Sequence, residues 1–153
     1  MYSREEVKKL KEEFWTSFGQ FMSPVPSADM EKINWVNYKT GVKHLFFRMD
    51  ATNKSATIMI EITHPDDGIR ALMFEQFQEL QALLHDALAE NWDWSSEYYD
   101  DYGKKTARIS TSIAQISIFK KEDWPHLISF LKPRLIALDE FWSTAKYAFD
   151  IFK

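Results

Sequence analysis

The chain has 153 residues, a net charge of −4 and 45% hydrophobic side chains, which suits one folded domain with a sizeable core. It has no cysteine, which excludes a disulfide framework, a thiol nucleophile and a Cys-ligated zinc. The slight acidic excess gives no strong nucleic-acid signal, and no run approaches the roughly 18 apolar residues that a membrane span needs.

The charged, helical start MYSREEVKKLKEEF is unlike a secretory leader, so a cytoplasmic protein is the simplest expectation. Periodicity predicts a helix over residues 3–22. Ser3 can cap it, with Glu5 and Glu6 at the positive end of its dipole. Val7, Leu10, Phe14, Phe18 and Phe21 form one apolar stripe, which Trp15 and Met22 widen. Pro24 and Pro26 end it. Residues 23–41 then form a connector rich in aromatic and amide side chains, punctuated by Gly41.

Residues 42–64 read as a β-hairpin turning on Asn53-Lys54. In that register Met49 faces Ile58, Phe47 faces Ile60 and Leu45 faces Ile62, all on one face. The opposite face carries His44, Phe46, Arg48, Asp50, Thr57, Met59, Glu61 and Thr63. Phe46 then pairs with Glu61, and Arg48 reaches Glu61 on the diagonal. This face is either a solvated outer surface with an Arg–Glu pair or a ligand-binding surface using Lys39, His44, Arg48 and Glu61.

A helix over residues 66–90 follows, opened by His64-Pro65-Asp66-Asp67. Its expected apolar face is Ile69, Leu72, Met73, Phe77, Leu80, Leu83, Leu84, Ala87 and Leu88. A second hairpin spans residues 92–119, with a return strand from Thr106 to Phe119. Closure on Tyr102-Gly103 sets Glu97 opposite Arg108, and the serines and threonines of the return strand suggest a position near a sheet edge. The last helix covers residues 122–152, capped by Asp123, with a kink or split expected just before Pro133. Its apolar residues exceed one stripe, so Phe141, Trp142 and Phe149 are candidates for an interface with a second copy or a protein partner.

The order α-β-β-α-β-β-α points to an α+β domain with one antiparallel sheet of about four strands packed against helices. The four histidines lack a short metal-ligand spacing, and no nucleophile elbow or glycine-rich phosphate loop is present. No catalytic residue, metal or cofactor is therefore assigned.

Several stretches together resemble an uncharacterised bacterial family, domain of unknown function 4268. They are Asn37 to His44, Phe47-Arg48-Met49-Asp50, Ile60-Glu61-Ile62-Thr63-His64, Phe74-Glu75-Gln76-Phe77 and Leu138-Asp139-Glu140-Phe141-Trp142. The resemblance covers nearly the whole chain, which reads as a free-standing member. It assigns no activity. It implies an accessory role near DNA defence or repair, since related domains occur beside nuclease-like modules. The favoured reading is a non-catalytic interaction module that self-associates or docks to a protein. The alternative is a nuclease-related domain in which Asp50 and Glu61 bind a metal, although Thr63 stands where a catalytic Lys belongs.

Overall fold

The structure, a computed structural model, describes residues 2–153. Helix α1 spans Arg4–Met22 and opens on a complete capping box. The Ser3 hydroxyl accepts from the Glu6 N–H at 3.1 Å, and the Glu6 carboxylate accepts from the Ser3 N–H at 3.3 Å. Phe14, Phe18 and Met22 are fully buried. Steps of four residues rotate the buried stripe around the helix. That drift leaves Phe21, expected on the stripe, half exposed beneath the Lys132 ammonium.

Strands β1 (Leu45–Ala51) and β2 (Ser55–Ile62) pair antiparallel in the register read from the sequence. Thr52 closes the turn. Its N–H donates to the Ser55 carbonyl at 2.8 Å, and its hydroxyl accepts from the Lys54 and Ser55 N–H groups. Of the six apolar residues assigned to the inner face, five are buried and Met49 is half-buried.

The helix expected over residues 66–90 is two, α2 (Asp67–Glu79) and α3 (Gln81–Leu88), separated at Leu80. The Asp66 carboxylate caps α2 by accepting from the Ile69 N–H at 2.9 Å. Ile69, Leu72 and Leu83 of the expected apolar face are exposed, while Phe74 and Arg70 are turned inward.

Strands β3 (Asp93–Tyr99) and β4 (Lys105–Ala114) complete an antiparallel sheet of order β1-β2-β4-β3. The return strand β4 is therefore internal, and β3 is the edge. Of the hydroxyls that suggested an edge, Ser110 and Ser112 lie on the outer face of this central strand, where Thr57 and Ser112 are hydrogen-bonded at 2.7 Å, Thr111 falls opposite Ile58 on the inner face, and Ser117 lies beyond the strand. The inner face of β4 is mostly apolar, with Ala107 and Ile109 fully buried. β4 also ends earlier than expected. Gln115 takes a left-handed conformation (φ 59°) and turns the chain away. Ile116 and Ile118 then hydrogen-bond to the Lys54 and Thr52 carbonyls of the first hairpin's turn.

A 3₁₀ turn at Lys121–Asp123 leads into helix α4, Trp124–Ala145, and a 3₁₀ helix over Lys146–Phe152 ends the fold. Asp123 does not cap α4 with its side chain. Its carboxylate accepts from the Ser117 N–H instead, at 2.9 Å. α4 is not split at Pro133. A proline removes only one helical donor, and the buried residues around it, Phe130, Leu131 and Leu135, hold the helix in place.

α4 touches β1, β2, α1 and α3, and this explains its wide apolar girth. Phe141, Trp142 and Phe149 are 2%, 3% and 0% exposed. Their assignment to an interface is replaced by a core role: the neighbours that sequence reasoning supplied from a second copy come from within the same chain. Phe149 packs on Phe77 and Trp142 with ring centroids 4.6 and 5.1 Å away, and Trp142 meets Phe47 edge-on. No helix among the described residues is long and apolar enough to cross a membrane.

Candidate functional site

The helices pack on one face of the sheet, and the other face carries side chains in cross-strand rows. One row reads Phe46, Glu61, Arg108, Ser95 across β1, β2, β4 and β3. Glu61 is 3% exposed although it points to the outer face. Two arginines cover it. Arg48 donates through Nη1 to one carboxylate oxygen, and Arg108 donates through Nε to the other at 2.7 Å. The Thr106 hydroxyl donates to that second oxygen at 3.3 Å. The Arg48 guanidinium lies 4.0 Å over the Phe46 ring, and that of Arg108 lies 3.8 Å over Tyr98. Each cation is thus held by charge on one side and by an aromatic face on the other. The three charges sum to +1.

Sequence reasoning found the Arg48–Glu61 contact and missed Arg108. The hairpin closes with Tyr99 opposite Lys105, one residue off the expected register, and a β-bulge between Ser95 and Tyr98 adds a second, so Arg108 faces Ser95 rather than Glu97. Glu97 approaches Lys105 instead, at 3.9 Å. Only the β2–β4 pairing brings Arg108 to Glu61, and that pairing joins two hairpins with no local signal. Asp50 pairs with Thr57, four residues along β1 from the partner of Glu61. That separation is roughly 13 Å at strand rise. Both oxygens of Glu61 already face cations, so the two carboxylates do not converge on one metal. No group of three or more metal-ligating side chains occurs among the described residues. His44 is half-buried with a left-handed backbone (φ 64°), and its ring meets that of His64 edge-on, centroids 4.8 Å apart.

Lys39 is exposed on the connector, residues 23–44, which has neither helix nor strand and is tied down by side chains. The Trp142 Nε1 donates to the Thr40 carbonyl at 2.9 Å, and the Trp35 Nε1 donates to the Val25 carbonyl at 2.9 Å. Asp139, 5% exposed, accepts from the Ala28 N–H at 2.7 Å and from the Tyr38 hydroxyl. Burial, and then the bond to Asp139, pushes the Tyr38 phenol far above the usual tyrosine range. The unfolded chain gives up this proton near pH ~10, whereas the folded chain holds it to higher pH. The stability it contributes is therefore fully present below that point and falls as pH rises beyond it. Tyr38→Phe is expected to flatten this alkaline decline. The check is the difference in urea midpoint between the two proteins from about pH 8 to 11.

The anchored connector lies beside β1 and leaves a cleft of about 490 Å³. Trp15, Val36 and Tyr38 line one wall, Phe46, Arg48 and Met49 the other, and Lys39 stands at the rim. Two cations and no carboxylate line it, in a chain whose net charge is −4. Of the four predicted ligand residues, the structure brings Lys39 and Arg48 to this cleft, sets Glu61 behind Arg48, and leaves His44 apart with His64.

A family model described as a domain of unknown function, DUF4268, matches residues 10–146. The chain belongs to the DUF4268 family. No curated protein matches it, and no solved structure does. The DUF4268 match contains both the cleft and the Arg48–Glu61–Arg108 row. It also contains the Tyr38–Asp139 contact, which joins two stretches about a hundred residues apart in this DUF4268 chain.

Proposed function

We propose that this DUF4268 protein is a non-catalytic binding module that receives an acidic segment of a protein partner in the cleft between the connector and β1. One observation carries the reading: Lys39 and Arg48 converge on a cleft that holds no carboxylate, in a chain that is acidic overall. Arg48 is pre-positioned there. Its side chain is 45% exposed, while Glu61 behind it fixes the guanidinium. A cation already held in place loses less side-chain freedom on binding. The Tyr38 phenol beside the cleft is kept protonated and spends that proton on Asp139, so it anchors the cleft wall and does not act as a base or nucleophile. A cytoplasmic setting, and an accessory role beside DNA-defence or repair proteins, belong to the same reading: the partner is a protein and not the phosphodiester backbone.

The test is fluorescence anisotropy of the full chain with three labelled probes, an oligoglutamate peptide, an oligolysine peptide and an oligothymidylate. Oligoglutamate is expected to bind saturably, more weakly as salt rises, with oligolysine inert. Lys39→Glu, which breaks no side-chain hydrogen bond or ion pair among the described residues, and Arg48→Gln are each expected to weaken it by roughly tenfold, about 1.4 kcal/mol. Absence of saturable oligoglutamate binding, or unchanged binding in both variants, overturns the reading. Oligothymidylate binding that depends on the same two residues replaces it with a nucleic-acid role.

A further inference from the structure

We infer that the free edge of β1 is a strand-addition site, at which an extended acidic segment of another protein pairs with the backbone of Phe47 and Met49. This rests on the reading of the cleft given above and adds how the partner is held. The hydrogen-bond parity of the sheet carries it. The Thr63 N–H donates to the His44 carbonyl at 2.8 Å, and the Thr52 N–H donates to the Ser55 carbonyl at 2.8 Å. Residues 44, 46, 48, 50 and 52 therefore bond to β2. The N–H and C=O groups of the alternate residues point the other way, out of the sheet.

That outward edge is closed at its Leu45 end, and Phe47, 3% exposed, and half-buried Met49 follow it along the strand. The Leu45 N–H donates to the Val42 carbonyl at 3.3 Å, and the Leu45 carbonyl accepts from the Thr40 hydroxyl at 2.9 Å. Among the described residues, the backbone groups of Phe47 and Met49 have no partner outside the sheet. Both residues line the cleft.

The two sheet edges differ in a way that bears on this. β3 is broken by its bulge and carries exposed Asp93 and Glu97, features that discourage strand pairing. β1 has an unbroken register, no proline and no bulge, and its exposed charges are Arg48 and Asp50. The cleft walls state what an added strand must carry. Side chains opposite Phe46 and Arg48 fall on the outer face, beside a cation. Those opposite Phe47 and Met49 fall on the inner side, toward Trp15 and Val36. The edge therefore fits a segment that alternates acidic and apolar residues, bound by main-chain hydrogen bonds and read by alternate side chains.

Amide hydrogen exchange on the full chain tests this, with a peptide of alternating Glu and Val as probe and its Lys–Val counterpart as control. The Glu–Val peptide is expected to slow exchange at the Phe47 and Met49 amides by roughly tenfold or more. The Phe46 and Arg48 amides, already bonded to β2, are expected to change little. Met49→Pro removes a donor that β2 does not use and is expected to abolish the protection. Lys39→Glu, which leaves the strand intact, is expected to weaken it. Binding that needs Lys39 and Arg48 but leaves the Phe47 and Met49 amides unchanged overturns strand addition while the cleft reading stands. No binding of the Glu–Val peptide overturns strand addition, and the oligoglutamate titration then decides the cleft reading separately. Protection of these amides without peptide, growing with protein concentration, assigns the edge to a second copy and overturns the acidic partner.

Discussion

Phe149→Ala is expected to lower the unfolding free energy by about 3–5 kcal/mol, the range for deleting a buried aromatic ring from a packed core. The side chain is 0% exposed and sits among Phe77, Trp142 and Phe152, with centroids 4.6, 5.1 and 6.1 Å away. These rings belong to three different elements, so a cavity here cannot close by the shift of one side chain. Denaturant unfolding followed by tryptophan fluorescence measures the loss. Light scattering of the folded variant adds a second readout. A core role predicts lower stability at unchanged mass. A loss below about 1 kcal/mol together with a change in mass would return Phe149 to the surface role that its sequence suggested.

Glu61→Ala is expected to cost about 3 kcal/mol, near the lower end for breaking a buried ion pair. The lower end applies because Arg48 is 45% exposed and water can take over much of its solvation, whereas Arg108 is only 19% exposed. The loss comes chiefly from stranding Arg108 under Tyr98 with no acceptor. Replacing all three charges together, as Arg48→Met, Glu61→Leu and Arg108→Met, is expected to recover most of that stability, since no buried charge is then left over. A triple variant no more stable than Glu61→Ala would show that the row is held by shape and not by charge. The triple variant also separates two roles of Arg48. It should fold yet fail to bind oligoglutamate.

Much of this molecule is legible in the sequence wherever the deciding forces are local. The first hairpin's register follows from six apolar residues and a turn at Asn53-Lys54, because a slip of one residue would expose all six. The Ser3 cap follows from its spacing to Glu6. The four-strand α+β architecture follows from the alternation of helical and strand periods. What stays hidden is set by pairings between distant segments. The serines of β4 mark an outer face, and only the strand order tells that face from an edge. Arg108 meets Glu61 across 47 residues and has no local signature. The surplus of apolar residues on α4 is real, but periodicity cannot say whether a second subunit or the chain's own connector covers it. Lys39 and Arg48 were found as individual side chains. The open edge between them could not be, since which backbone groups face outward depends on a hydrogen-bond parity that no side chain encodes.

The connector's anchors set an order of events during synthesis. Tyr38 and Thr40 wait for Asp139 and Trp142, which lie 101 and 102 residues downstream. At 5–20 residues per second a ribosome needs roughly 5–20 s to make that interval. Until then α1 and the first hairpin are present, but the wall that carries Lys39 has nothing to lean on, and β1 stands without the connector fixed beside it. Those seconds are when a nascent chain is most exposed to mispairing with its neighbours. Docking of α4 ends that period, and it also fixes the wall that stands beside this edge.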